Sequence, residues 1–168
     1  MRTLDRKGKI YCFISLIPVL AVMAVIFYFS AQPAQASDAA SGGIVDVVMA
    51  YITKITGEIS ADAYTGIVNT VTFIVRKAAH FLEFAALGFF TEIHILTFLN
   101  KKTWLFSLLF SVLYAASDEF HQHFVSERAP RFLDICVDSA GAVCGILLVL
   151  IIVAVYKGIA KKKKCSKA

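Results

Sequence analysis

Four long apolar blocks divide the chain, at about residues 10–29, 76–99, 104–124 and 133–156. A bilayer core takes ~20 apolar residues of helix, so each block predicts one transmembrane span. Residues 100–103 leave room only for a tight turn, which makes the second and third spans a helical hairpin. The stretch between the first two spans, residues 30–75, reads differently. Gly42-Gly43 precedes a run with Ile44, Val48, Ile52 and Ile55 on one side, and Gly57 breaks it. Ser60 suits the cap of a second helix, whose stripe is Tyr64, Ile67, Val68, Val71 and Ile74. Such a pair would lie on the outer surface or cover the helix ends. The expected fold is therefore all-α: an integral membrane four-helix bundle with one or two short amphipathic helices in a long outer loop. Residues 1–9 form a basic N-terminus, 76–156 the core of three spans, and 157–168 a basic tail.

Composition supports the membrane class. The chain is 58% hydrophobic with a mean hydropathy of +0.72, above the apolar share of a soluble domain. The first block follows a basic segment (Arg2, Arg6, Lys7, Lys9), and Ala34-Gln35-Ala36 resembles a signal-peptide cleavage site. Signal cores run about 7–15 residues, so the longer block here predicts a retained anchor. The net charge is +5. Its distribution sets the orientation: with the N-terminus inside, twelve of the seventeen Lys and Arg fall on the inner side. Both termini are then cytoplasmic, which four spans allow. The Lys161–Lys164 run suits an inner-surface anchor for anionic lipid. Basic residues at segment ends, without interleaved aromatics, give no nucleic-acid signal. Cys12, Cys136 and Cys144 fall in apolar segments, where they read as small buried hydrophobes. Cys165 lies in the tail, and no spacing suggests a zinc site.

Ionisable residues gather at the outer ends of the spans. Arg76, His80 and Glu83 share one face of the second span, spaced by four and three. The third span ends with Asp118, Glu119, His121 and Gln122, and the fourth opens with Asp134 and Asp138. At about 1.5 Å per residue, Glu83 lies ~10 Å inward of Arg76 and Asp138 ~6 Å inward of Asp134, so all three spans bring acids to a similar depth. Charges at such depth are costly, face the bundle interior and pair with one another. Lys77, Arg128 and Arg131 supply counter-charges. The cluster can thus be a pocket, with His80, Glu83, Asp118, Glu119, His121 and Asp138 as its chemical groups. Arg76, Lys77, Gln122, Arg128, Arg131 and Asp134 would then be its binding groups. The bland alternative is a set of helix-end ion pairs that need no ligand. A metal held by His80, Glu83, Asp118, Glu119 and His121 is a lesser alternative, since the spacing matches no specific metal motif; no cofactor is expected. Gly141 and Gly145 read as a close helix-packing face. Glu92 and His94, toward the inner end, are assigned to the inner interface near Lys101 or Lys102 and left out of the site.

The motifs together resemble the VanZ family. The likeness rests on Lys77-x-x-His80-Phe81-x-Glu83-Phe84-x-x-Leu87-Gly88 and on Ser111-x-x-Tyr114-Ala115-x-x-Asp118-Glu119-x-His121-Gln122. It continues through Phe124-Val125, Arg128, Asp134-Ile135, Gly141 and Gly145, and includes Phe29-Ser30-Ala31-Gln32-Pro33 after the first span. The chain departs from the family pattern at Ser126-Glu127, where the family usually has Pro-Gly, and at Asp138, where it usually has Asn. The resemblance implies a multi-pass protein of the cell membrane of Gram-positive-type bacteria, associated with low-level resistance to the glycopeptide teicoplanin. It assigns no biochemical activity.

Three functions fit this reading. The first is an outer-leaflet site that binds or acts on an envelope lipid or lipid-linked cell-wall precursor, with arginines clamping phosphate and acids and His80 moving protons. The second is a non-enzymatic binder of a glycopeptide or of a partner protein in envelope stress, with a structural charge cluster. The third is a small proton-coupled carrier, a homo-oligomer assembled through the Gly141/Gly145 face.

Overall fold

The computed structural model describes residues 5–99, 102–126 and 131–165, and every regular element among them is helical. Five helices follow in order: α1 (Arg6–Ser30), α2 (Ala34–Thr56), α3 (Ala61–Leu96), α4 (Thr103–Gln122) and α5 (Phe132–Cys165). Three of them, α1, α3 and α5, are long and apolar enough to cross a membrane. The third expected span, residues 104–124, corresponds to α4, whose 20 residues carry Asp118 and Glu119 near the end.

Local chemistry sets several boundaries. Asp5 caps α1 by accepting from the backbone N–H of Gly8 at 2.8 Å. Gly57, at φ 76°, ends α2 in a backbone conformation that only glycine adopts freely. Ser60 then caps α3 through the N–H of Ala63, and Asp62 adds an acid to its first turn. Lys102, at φ 53°, makes the tight turn into α4.

The segment before the second span does not form a separate helix. Ser60 starts a single helix of 36 residues, ~54 Å long. Nothing from Val68 to Val75 breaks a helix, so the amphipathic stripe runs directly into the apolar block. The other amphipathic helix is also longer than expected: α2 begins at Ala34 and continues through Gly42-Gly43. Its buried line is Ser41, Val45 and Met49, whereas Ile44 and Ile55 are exposed. The stripe expected from sequence is therefore rotated, because α2 packs mainly against α3.

α3 is the hub and packs against all four other helices, most extensively against α5. The pairings of Lys77 with Asp134, Gly141 with Phe81 and Gly145 with Ala85 advance together along both chains, so α3 and α5 run parallel. Three glycines bring their backbones together. A Cβ on Gly88 would collide with the backbone of Ala142, one on Gly141 with that of Phe81, and one on Gly145 with those of Ala85 and Phe89. The small-residue face of α5 is thus used inside the chain. Val19, Ile26, Phe84, Leu87 and Ala115 form an apolar layer between α1, α3 and α4. The Tyr114 hydroxyl closes it by donating to the carbonyl of Met23 at 2.7 Å. Cys136 and Cys144 lie on the outer surface of α5 rather than buried in the bundle, and Cys12 is half-buried.

Candidate polar site at one end of the bundle

The end of α1, the end of α4, the start of α5 and the middle of α3 meet at one level, and most of the ionisable residues expected in the site collect there. The structure divides them into two groups on either side of α3.

The first group faces α1 and α2. Arg76 reaches across to Asp38 at 2.8 Å and ties α2 to α3. One turn along, His80 Nδ1 and Glu83 Oε2 lie 3.5 Å apart on the same helix face. These residues line a hollow of about 200 Å³ that Ser37, Ser41 and Ile44 of α2 close from the other side. Phe29, Val75 and Ala79 complete its wall. The hollow is thus apolar on its flanks and charged along one edge.

The second group fills the junction of α3, α4 and α5. Lys77 pairs with Asp134 at 2.5 Å, and its ammonium lies 5.6 Å from the ring of Phe73. Asp118 is buried and accepts from Ser30 Oγ and from Gln122 Nε2, both at 2.8 Å. Gln122 also donates to Ser30 at 3.3 Å. Glu119, equally buried, accepts from the backbone N–H of Arg131. Asp138 is 4% exposed, with no hydrogen bond or ion pair among the described residues. His121 stacks on Phe27 with ring centres 4.7 Å apart, and its Nε2 is buried without a partner among the described residues. Arg131 itself is exposed, and Arg128 lies outside the described residues. Across both groups, the Lys and Arg ion pairs among the described residues are Arg76 with Asp38 and Lys77 with Asp134. Among the described residues, no three His, Cys, Asp or Glu side chains are placed to hold a metal ion.

Sequence reasoning missed Ser30, Asp38, Ser37 and Ser41. Ser30 was visible within the Phe29–Pro33 motif as the residue closing the first span, but its partner lies 88 positions away. Asp38 carried no local signal at all.

Glu92 and His94 are also placed differently from expectation. Glu92 makes no ion pair among the described residues, which include Lys102 but not Lys101. It is fully buried and accepts from Thr103 Oγ1 and Ser107 Oγ, each at 2.6 Å. Both donors belong to the first two turns of α4, whose positive dipole end favours a carboxylate. His94 Nδ1 lies 2.9 Å from Ser15 Oγ and joins α3 to α1. The signal was the hydroxyl ladder Thr103, Ser107 and Ser111, one residue every four, which puts polar groups on the buried face of α4. Replacing Glu92 by leucine strands two hydroxyls and should cost about 1–3 kcal/mol of stability, and glutamine less. Reversible unfolding in mixed micelles measures this, and a leucine variant as stable as wild type would show that the latch holds nothing.

The family model described as VanZ/LLP1 matches residues 15–153, from within α1 to the second half of α5. The chain belongs to the VanZ family. No curated protein and no solved structure matches it. The matched region holds both polar groups and the three packing glycines, so the VanZ likeness covers the whole candidate site.

Proposed function

We propose that this VanZ-family protein uses the polar end of its bundle as an outer-leaflet site that binds or acts on an envelope lipid or lipid-linked head group. The reading includes four spans, with α4 crossing beside α3 and α5, and places the protein in a bacterial cell membrane. Both termini are then cytoplasmic, and the excess of lysines beyond residue 156 lies on the inner side. The observation that carries the proposal is the hollow between α2 and α3, where Arg76, His80 and Glu83 line an apolar-flanked space. An amphiphile's head group has the same combination of charge and adjoining hydrocarbon. Arg76 can meet phosphate if its pair with Asp38 opens, and the neighbouring His80 and Glu83 can accept or give a proton.

A second reading draws on the ion pairs. Arg76 with Asp38 and Lys77 with Asp134 each cancel a charge inside the chain, as expected of a structural cluster in a non-enzymatic binder of a glycopeptide or partner protein.

The test is the teicoplanin and vancomycin susceptibility of a sensitive host carrying wild type or Glu83→Gln at matched membrane levels. Protection against teicoplanin alone, lost in Glu83→Gln, is the expected result and ties the VanZ phenotype to the hollow. Protection that survives Glu83→Gln would favour the structural reading.

A further inference from the structure

A second hollow lies on the other side of α3, in the seam with α5. Phe81, Ala85, Ala86 and Phe89 of α3 form one wall, and Cys144 and Leu148 of α5 the other. Its volume is about 430 Å³, and its lining is apolar throughout. From Phe81 to Phe90 it follows the helix axis for ~13 Å. Both helices are membrane-crossing candidates, and in a bilayer a hollow on their shared outer seam would open to hydrocarbon. At its head, one turn beyond Phe81 on α3 and two turns before Gly141 on α5, stands the Lys77–Asp134 ion pair.

We propose that this seam is a specific lipid site, with one acyl chain in the groove and a zwitterionic head group, phosphate plus ammonium, on Lys77 and Asp134. The inference rests on the lipid reading given above and names the lipid's class and second contact surface. A helix is the wrong occupant. Helices associate in membranes through small residues that let backbones approach, and Gly88, Gly141 and Gly145 are already spent on the α3–α5 contact. What remains is a ring-lined trough running in the direction of the acyl chains.

Charge bookkeeping selects the head group. An ion pair that opens must leave neither partner alone in a poorly hydrated place. A zwitterion satisfies this: its phosphate takes Lys77, its ammonium takes Asp134, and two pairs replace one. A purely anionic head group would leave Asp134 unpaired beside Glu119 and Asp138. Asp138, buried without hydrogen bond or ion pair among the described residues, already makes this junction unfavourable to added negative charge.

The experiment is photo-crosslinking in nanodiscs of phosphatidylglycerol that contain a trace of chain-labelled diazirine lipid, either phosphatidylethanolamine or phosphatidylglycerol, with labelled peptides mapped by mass spectrometry. A third hollow, between Trp104 and Leu108 of α4 and Val143 and Leu147 of α5, serves as an internal control. Labelling of the Phe81–Phe89 wall should favour the ethanolamine lipid by roughly fivefold, the upper end for a partly exposed ion pair. Asp134→Asn should erase that preference, and Ala86→Trp, which fills the groove, should abolish the labelling, with thermal melting to confirm that each variant is folded. Equal labelling of both hollows whatever the head group would overturn the proposal and reduce the groove to ordinary lipid contact. Labelling confined to Phe29 and Ile44 would overturn the groove while leaving the α2–α3 hollow as the lipid site. Loss of the Glu83-dependent phenotype with groove labelling intact would do the reverse.

Discussion

Gly145→Leu should be the most destabilising single substitution in the membrane-crossing part of the chain. A Cβ at this position would run into the carbonyl of Ala85 and the amide of Phe89, which are backbone atoms of a packed helix and cannot rotate away. The leucine must therefore push α5 off α3 along their common seam. Overpacking typically costs about 1–3 kcal/mol and more where nothing yields, so a loss of about 3 kcal/mol or more is expected. Gly42→Ala supplies the contrast. Gly42 lies inside α2 with nothing within 4 Å of its added Cβ, and removing a flexible glycine from a helix should gain about 0.5–1 kcal/mol. Unfolding in mixed micelles should thus move the two variants in opposite directions. If Gly145→Leu unfolds with wild type, the close approach of α3 and α5 is wrong, and with it the placement of Lys77 against Asp134.

That placement depends on features of very different range, which explains what the sequence disclosed. Apolar stretches long enough to span are written locally, as are the cap at Ser60 and the stop at Gly57, and the structure has three helices of that kind together with the cap and the stop. The faces carrying Arg76, His80 and Glu83, or Asp134 and Asp138, follow from helical period alone. Which helix each face meets is not local. Arg76 and Lys77 are neighbours in sequence, yet one pairs with Asp38 of α2 and the other with Asp134 of α5. The single cluster read along the chain therefore becomes two groups around α3. The continuous α3 was missed for a related reason. The change from amphipathic to fully apolar pattern near residue 75 marks a change of surroundings, and the backbone has no cause to break there. Glu92 was misplaced because proximity to Lys101 and Lys102 in sequence suggested a charged partner, whereas a buried hydroxyl pair supplies the donors.

Asp118 offers the clearest separation of a structural charge from a functional one. Its carboxylate gathers Ser30 from the end of α1 and Gln122 from its own helix, so it pins α1 to α4 where those helices otherwise touch little. Asp118→Ala removes both contacts and leaves buried donors behind, with an expected loss of about 2 kcal/mol, between the aqueous and the membrane values for such bonds. In a double-mutant cycle, Ser30→Ala should show a coupling of about 1 kcal/mol with it. Asp118→Asn is the informative variant. Its amide oxygen still accepts from Ser30 or Gln122, so most of the stability should remain, while the negative charge is gone. A folded Asp118→Asn protein that has lost the teicoplanin phenotype would assign the charge itself to function. A folded protein with full phenotype would make Asp118 a strut between helices and move the search for chemistry to His80 and Glu83, in the hollow between α2 and α3.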